Sequence, residues 1–99
     1  SLAATFSPGG VGIIPPVSAT KSQHGHLLGA AGALEAAVSV ASLQNQIVPA
    51  TLGVNPIDPK CSMLDLAIGA PRSVASLEYA MSNSFAFGGS NVTLIFKKS

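Results

Sequence analysis

From residue 29 to residue 46 the chain reads GAAGALEAAVSVASLQNQ. Wound as a helix, its alanines, valines and leucines fall on every side, and its one charge is Glu35. A helix without a polar face has to be covered from most directions. A 99-residue chain is poorly equipped to do that alone, because small domains bury a smaller share of their surface. Only 9% of the residues are charged and 47% are hydrophobic, whereas soluble domains carry about 25% charged residues. The composition is that of an interior. We therefore expect another part of a longer polypeptide, or a partner subunit, to cover much of this chain.

The same composition narrows the function classes. Cys61 is the one cysteine, so an internal disulfide framework and a cysteine-based zinc site are excluded. Five basic residues lie scattered, which argues against a nucleic-acid footprint. The longest apolar stretch, residues 27–43, is short for a membrane span and contains Glu35, Ser39 and Ser42. No membrane segment is expected. The chain opens without Met and without a signal pattern, which leaves a removed targeting segment open.

Turn residues punctuate the chain at Pro8-Gly9-Gly10 and Pro15-Pro16. Residues 17–20 then read as a short strand and residues 29–46 as the helix, closed by Asn45-Gln46 and Pro49. Residues 52–59 read as loop and residues 63–68 as a weak strand. Residues 79–84 and 91–96 read as two strands joined by the apolar, glycine-rich turn of residues 85–90. This order suggests a mixed sheet with a helix on it.

Charge placement is informative. Among residues 1–57 only Lys21 and Glu35 are charged. Buried charges are normally paired, so each is the other's expected partner; the plain alternative is that Lys21 reaches solvent. Both histidines, His24 and His26, flank Gly25 at the start of the helix, just after Lys21. A helix start presents unpaired backbone N–H groups, and a neutral imidazole there can donate one N–H to a carbonyl oxygen. A capping or buried structural histidine is the competing reading. The turn Phe87-Gly88-Gly89 is the second candidate, as a gate or a backbone N–H site for an oxyanion; an ordinary hairpin turn is its plain alternative. Cys61 reads as non-catalytic. No metal-ligand cluster and no phosphate loop is apparent, and no cofactor is expected.

Two segments, VSATKSQHGHLLGAAGALEA and NSFAFGGSNVTLIFKK, together resemble the C-terminal part of the β-ketoacyl-acyl carrier protein synthases of the elongating type. The resemblance runs from Val17 to Lys98, and LLGAAG is closer to the discrete fatty-acid synthases than to modular polyketide ketosynthases. It implies an α/β, thiolase-like fold in α-β-α-β-α layers, with residues 1–99 forming the C-terminal portion of the second half. It implies decarboxylative condensation of malonyl-carrier protein with an acyl thioester, with acyl and malonyl carrier protein as partners and a homodimeric enzyme. The cytoplasm is the implied compartment, with the mitochondrial matrix or plastid as eukaryotic alternatives.

By that resemblance His26 and Lys21 are catalytic-site residues, His26 binding the malonyl thioester carbonyl. Glu35 matches the carboxylate paired with Lys21. Phe87 matches a gating residue whose backbone N–H also serves the oxyanion, beside Gly88. Two positions depart from the pattern. His24 stands where Thr or another uncharged residue is usual, and Ala86 stands where glycine is usual. The nucleophilic cysteine and a first histidine belong upstream in the family and are not among these residues, so the chain is expected to be one piece of a longer polypeptide. A non-catalytic partner of the chain-length-factor kind is the competing reading. A stand-alone structural domain and a degradative thiolase fit less well.

Overall fold

The computed structural model describes residues 2–99. Its elements, in chain order, are α1 (Leu2–Phe6), α2 (Lys21–His24), α3 (Ala31–Asn45), β1 (Ile47–Val48), β2 (Arg72–Ser73), β3 (Tyr79–Phe85) and β4 (Asn91–Lys97). Short 3-10 turns occupy Pro8–Gly10, Leu28–Ala30 and Pro59–Cys61. The chain divides into two compact units, one built from residues 2–23 with 48–72 and the other from residues 24–47 with 73–99.

The first unit is held by backbone pairing around Ala67. Val17 donates to the Asp65 carbonyl at 2.7 Å, and Ala67 donates back to Val17 at 3.0 Å. Thr51 donates to Ala67 at 2.6 Å, and Gly69 to Thr51 at 3.1 Å. Three extended segments thus lie side by side through the isolated parallel bridges Val17–Leu66 and Thr51–Ile68. Their core is small: Val48, Ala50, Thr51 and Ala67 are buried. The Thr51 hydroxyl accepts from the Ala19 amide at 2.9 Å, and the Ser22 hydroxyl accepts from the Leu52 amide at 3.2 Å. These bonds tie the start of α2 to the segment after Val48.

Two expected strands are therefore corrected. Residues 17–20 form a single bridge at Val17, and residues 63–68 contribute bridges only at Leu66 and Ile68. The reason is local. Pro15-Pro16 precede Val17 and cannot donate to a ladder, and α2 begins four residues later.

In the second unit α3 packs on the β3–β4 hairpin. The strands pair antiparallel in a register that sets Tyr79 opposite Lys97, Ser82 opposite Leu94 and Phe85 opposite Asn91. Side chains alternate along a strand, and Ala80, Ser82 and Ser84 are the less exposed set on β3. Their small size is what lets a helix lie close. A Cβ built on Gly32 would stand 3.4 Å from the Ser84 hydroxyl, so helix and strand approach at that point with little room to spare. The opposite hairpin face is open to solvent, with Tyr79 55% and Ile95 68% exposed.

This chain by itself covers little of α3. Only Ala31 and Leu43 of its residues are buried. A two-stranded hairpin covers one face of a helix, and α3 is apolar beyond that face.

At its C-terminus α3 ends on Gln46, in the left-handed conformation at φ 57°. The Gln46 side-chain amide donates to the Leu43 carbonyl at 2.6 Å and the Leu77 carbonyl at 3.0 Å. Its Oε1 accepts from the Leu77 amide at 2.8 Å. One side chain thus closes the helix and fastens the segment that enters β3.

Candidate functional site

The direction of α3 along the hairpin follows from two fixed points. Gly32, in the first turn of α3, meets Ser84 near the end of β3. Gln46, just past the last turn, holds Leu77 just ahead of β3. Helix and strand therefore run antiparallel. The segment that leads into α3, carrying His26, lies at the same end of the unit as the hairpin turn carrying Phe87. A groove of about 340 Å³, lined among others by Val40, Leu43, Ile95, Phe96 and Lys97, lies toward the other end. It is not part of the histidine site.

The histidine segment is built by two left-handed residues. Gly25 has φ 82°, a conformation open to glycine, and turns the chain between His24 and His26. Leu28 has φ 51°, unusual for a side chain of that kind. The Leu28 N–H donates to His26 Nδ1 at 3.1 Å. An imidazole nitrogen that accepts carries no proton, so the neutral ring bears its hydrogen on Nε2. His26 is exposed and presents Nε2–H as a donor. His24 is different. Its Nδ1 lies 2.8 Å from the Gly25 carbonyl, which can only accept, so the proton of that ring sits on Nδ1.

At the hairpin end Ala86 donates to the Ser90 carbonyl at 2.8 Å, which closes the ladder beneath a three-residue turn. Gly88 and Gly89 there have φ 89° and 83°, with no atom within 4 Å of a Cβ built at either one. Phe87 is fully exposed. A turn of this form leaves backbone N–H groups uncovered by side chains.

The remaining sequence candidates fall as follows. Lys21 is the first residue of α2 and is exposed. Glu35 lies half-buried in α3, where its carbonyl accepts from the Ser39 hydroxyl at 2.9 Å. Cys61 is exposed in the Pro59–Cys61 turn. Among the described residues no group of three or more His, Cys, Asp or Glu is placed to hold a metal ion. No helix of the described residues is long and apolar enough to cross a membrane. Sequence reasoning missed the Leu28 amide, since nothing in a leucine between Leu27 and Gly29 signals a left-handed backbone.

These features coincide with a known family. The model of the beta-ketoacyl synthase C-terminal domain matches residues 1–55, more than half of the chain. The chain belongs to the beta-ketoacyl synthases, through their C-terminal domain. It is 52% identical over 83 residues to 3-oxoacyl-[acyl-carrier-protein] synthase 2 of Vibrio cholerae, a match covering 83% of this chain and 20% of that protein. It is 48% identical over 82 residues to the synthase 2 of Synechocystis, covering 83% of the chain and 19% of the relative. It is 41% identical over 85 residues to 3-oxoacyl-[acyl-carrier-protein] synthase 1 of Haemophilus influenzae, covering 86% and 21%. The chain thus spans about a fifth of the length of these relatives.

Proposed function

We propose that this chain supplies the enolate-stabilising part of a 3-oxoacyl-[acyl-carrier-protein] synthase that elongates fatty acids by decarboxylative condensation. The observation that carries the proposal is the Leu28 N–H bond to His26 Nδ1, which turns Nε2–H into a donor. In this reading the Nε2–H donates to the thioester carbonyl oxygen of malonyl-carrier protein. The bond from the carboxylate carbon to the α carbon breaks, carbon dioxide leaves, and the electron pair moves into the enolate. The hydrogen bond strengthens as negative charge gathers on that oxygen. Losing one such donor in a dry site costs about 100- to 1000-fold in rate. The α carbon then attacks an acyl thioester, and the thiolate that held the acyl group leaves.

The Phe87 backbone N–H, uncovered at the Gly88 turn, is assigned to the oxyanion of that second step, and the Phe87 ring to gating. Lys21 and Glu35 are carried forward as a charge pair on the strength of their isolation in the sequence. A double-mutant cycle on stability is its check, and a coupling indistinguishable from zero would remove it. Acyl and malonyl carrier protein are the proposed partners, a layered thiolase-like homodimer the proposed assembly, and the cytoplasm the proposed compartment.

The test is decarboxylation of malonyl-carrier protein by the full-length protein that carries this chain. Wild type should release carbon dioxide and form acetyl-carrier protein. His26→Ala should lose about 100-fold or more. A folded His26→Ala protein with undiminished decarboxylation would overturn the reading.

A further inference from the structure

We infer that Gln46 is a positioning residue that sets the spacing between His26 and the Phe87 turn from the far end of α3. The inference rests on the roles proposed for His26 and Phe87 and adds the residue that holds them in register. Gln46 uses all of its polar groups. Its backbone N–H donates to the Ser42 carbonyl, and its own carbonyl accepts from the Val74 amide at 3.0 Å. Its side-chain amide donates to the Leu43 and Leu77 carbonyls, and Oε1 accepts from the Leu77 amide. The bonds to Leu77 form a two-way pair between positions 31 residues apart in sequence. They are made by a residue at φ 57°, a conformation that residues other than Gly, Asn and Asp seldom adopt. Ending the helix does not require this residue type, since glycine ends helices in the same conformation without a Cβ penalty.

The consequence lies at the other end of α3. Gly32 to Gln46 spans about 21 Å of helix at about 1.5 Å per residue, and Leu77 to Ser84 about 23 Å of extended chain at about 3.3 Å per residue. Helix and strand are matched in length and meet at both ends, at Gly32–Ser84 and at Gln46–Leu77. The first contact is between small groups at van der Waals distance and permits sliding. The second is a set of directional hydrogen bonds and does not. A slide of α3 by one residue's rise, about 1.5 Å, would move the segment carrying His26 past the turn carrying Phe87 by as much. Decarboxylation calls on His26 alone. Condensation calls on both ends of the pair, since the enolate held at His26 must come within about 3–3.5 Å of an acyl carbon whose oxygen lies at the Phe87 N–H. Gln46 therefore acts on the second step and spares the first.

The experiment uses the full-length protein with Gln46→Ala and Gln46→Gly, and His26→Ala as reference. Two rates are read for each: decarboxylation of malonyl-carrier protein alone, and 3-oxoacyl product formed from acyl- and malonyl-carrier protein. Both Gln46 variants should decarboxylate within about threefold of wild type, while condensation falls about tenfold or more. The glycine variant separates position from stability. It relieves the left-handed conformation but restores no bond to Leu77, so its denaturant midpoint should recover while its ratio of condensation to decarboxylation stays low. A ratio unchanged from wild type in either folded variant, or one that recovers together with the midpoint, would overturn the inference. Should Gln46→Ala not fold, the ratio in Gln46→Gly decides. The underlying reading fails in a different way: undiminished decarboxylation by His26→Ala would remove the role given to His26 and this inference with it, whereas a loss there with unchanged ratios in the Gln46 variants would overturn the role of Gln46 alone.

Discussion

His24 and His26, one glycine apart, carry their ring protons on opposite nitrogens. His26 accepts the Leu28 amide at Nδ1 and so donates from Nε2, whereas His24 directs its Nδ1–H onto the Gly25 carbonyl. Two identical side chains are thus chemically distinct, and the backbone makes the difference. The donor at His26 suits an oxygen that gathers negative charge. His24 presents no equivalent donor on Nε2 while its ring is neutral.

The contact between α3 and β3 gives a prediction about volume. Gly32→Ala places a methyl at ordinary contact distance from the Ser84 hydroxyl and gains helix propensity of about 1 kcal/mol. Its stability should match or slightly exceed wild type. Gly32→Leu forces helix and strand apart and should cost about 1–3 kcal/mol. Urea denaturation of the full-length protein measures both, and equal costs would contradict the close approach.

Gln46 gives a second. Gln46→Ala removes three side-chain hydrogen bonds, two to carbonyls and one from the Leu77 amide. At about 0.5–1.5 kcal/mol for each bond, a loss of about 1.5–4.5 kcal/mol is expected from Gln46→Ala. Gln46→Gly loses the same bonds but relieves the left-handed conformation, and should recover about 1 kcal/mol of that loss. The difference between the two variants in denaturant midpoint is the observable.

How much of this was legible in the sequence depends on element length. The helix expected over residues 29–46 is found as Ala31–Asn45, and the expected strands as Tyr79–Phe85 and Asn91–Lys97. Each is long enough to show its period. The elements Leu2–Phe6 and Lys21–His24 are too short for any period to register, and Ile47–Val48 and Arg72–Ser73 hold two residues each. The bridge at Val17 depends on Leu66, a partner no local pattern names. His26 and the Phe87 turn stood out by residue type. The left-handed backbones of Leu28 and Gln46 did not, since neither residue type favours that region and each is held there by hydrogen bonds to other groups.

Arg72 and Asp65 give a third prediction, this time of a small effect. Their ion pair is well formed at 2.7 Å, but the side chains are 40% and 47% exposed. Exposed pairs contribute about 0–1 kcal/mol. Asp65→Asn should lower stability by no more than about 1 kcal/mol, with the difference shrinking at high salt.

A fourth concerns the 99 residues expressed alone. Large apolar side chains stand in solvent, including Ile13 at 88%, Leu28 at 78% and Phe85 at 79% exposed, and among the described residues no large side chain is fully buried. Such a surface invites association. The isolated chain should bind a hydrophobic dye strongly and unfold without a cooperative transition. A soluble monomer with one sharp thermal transition would refute this.

The most direct measurement compares the two histidines in one assay. Malonyl-carrier protein decarboxylation is followed in the full-length protein with His26→Ala and, separately, with His24→Ala. Loss of the Nε2–H donor at His26 should cost about 100- to 1000-fold in kcat. His24→Ala, which removes a ring whose Nδ1–H is already turned onto the Gly25 carbonyl, should leave the rate within about threefold of wild type. Equal losses in two folded proteins, or a greater loss at His24, would contradict the account.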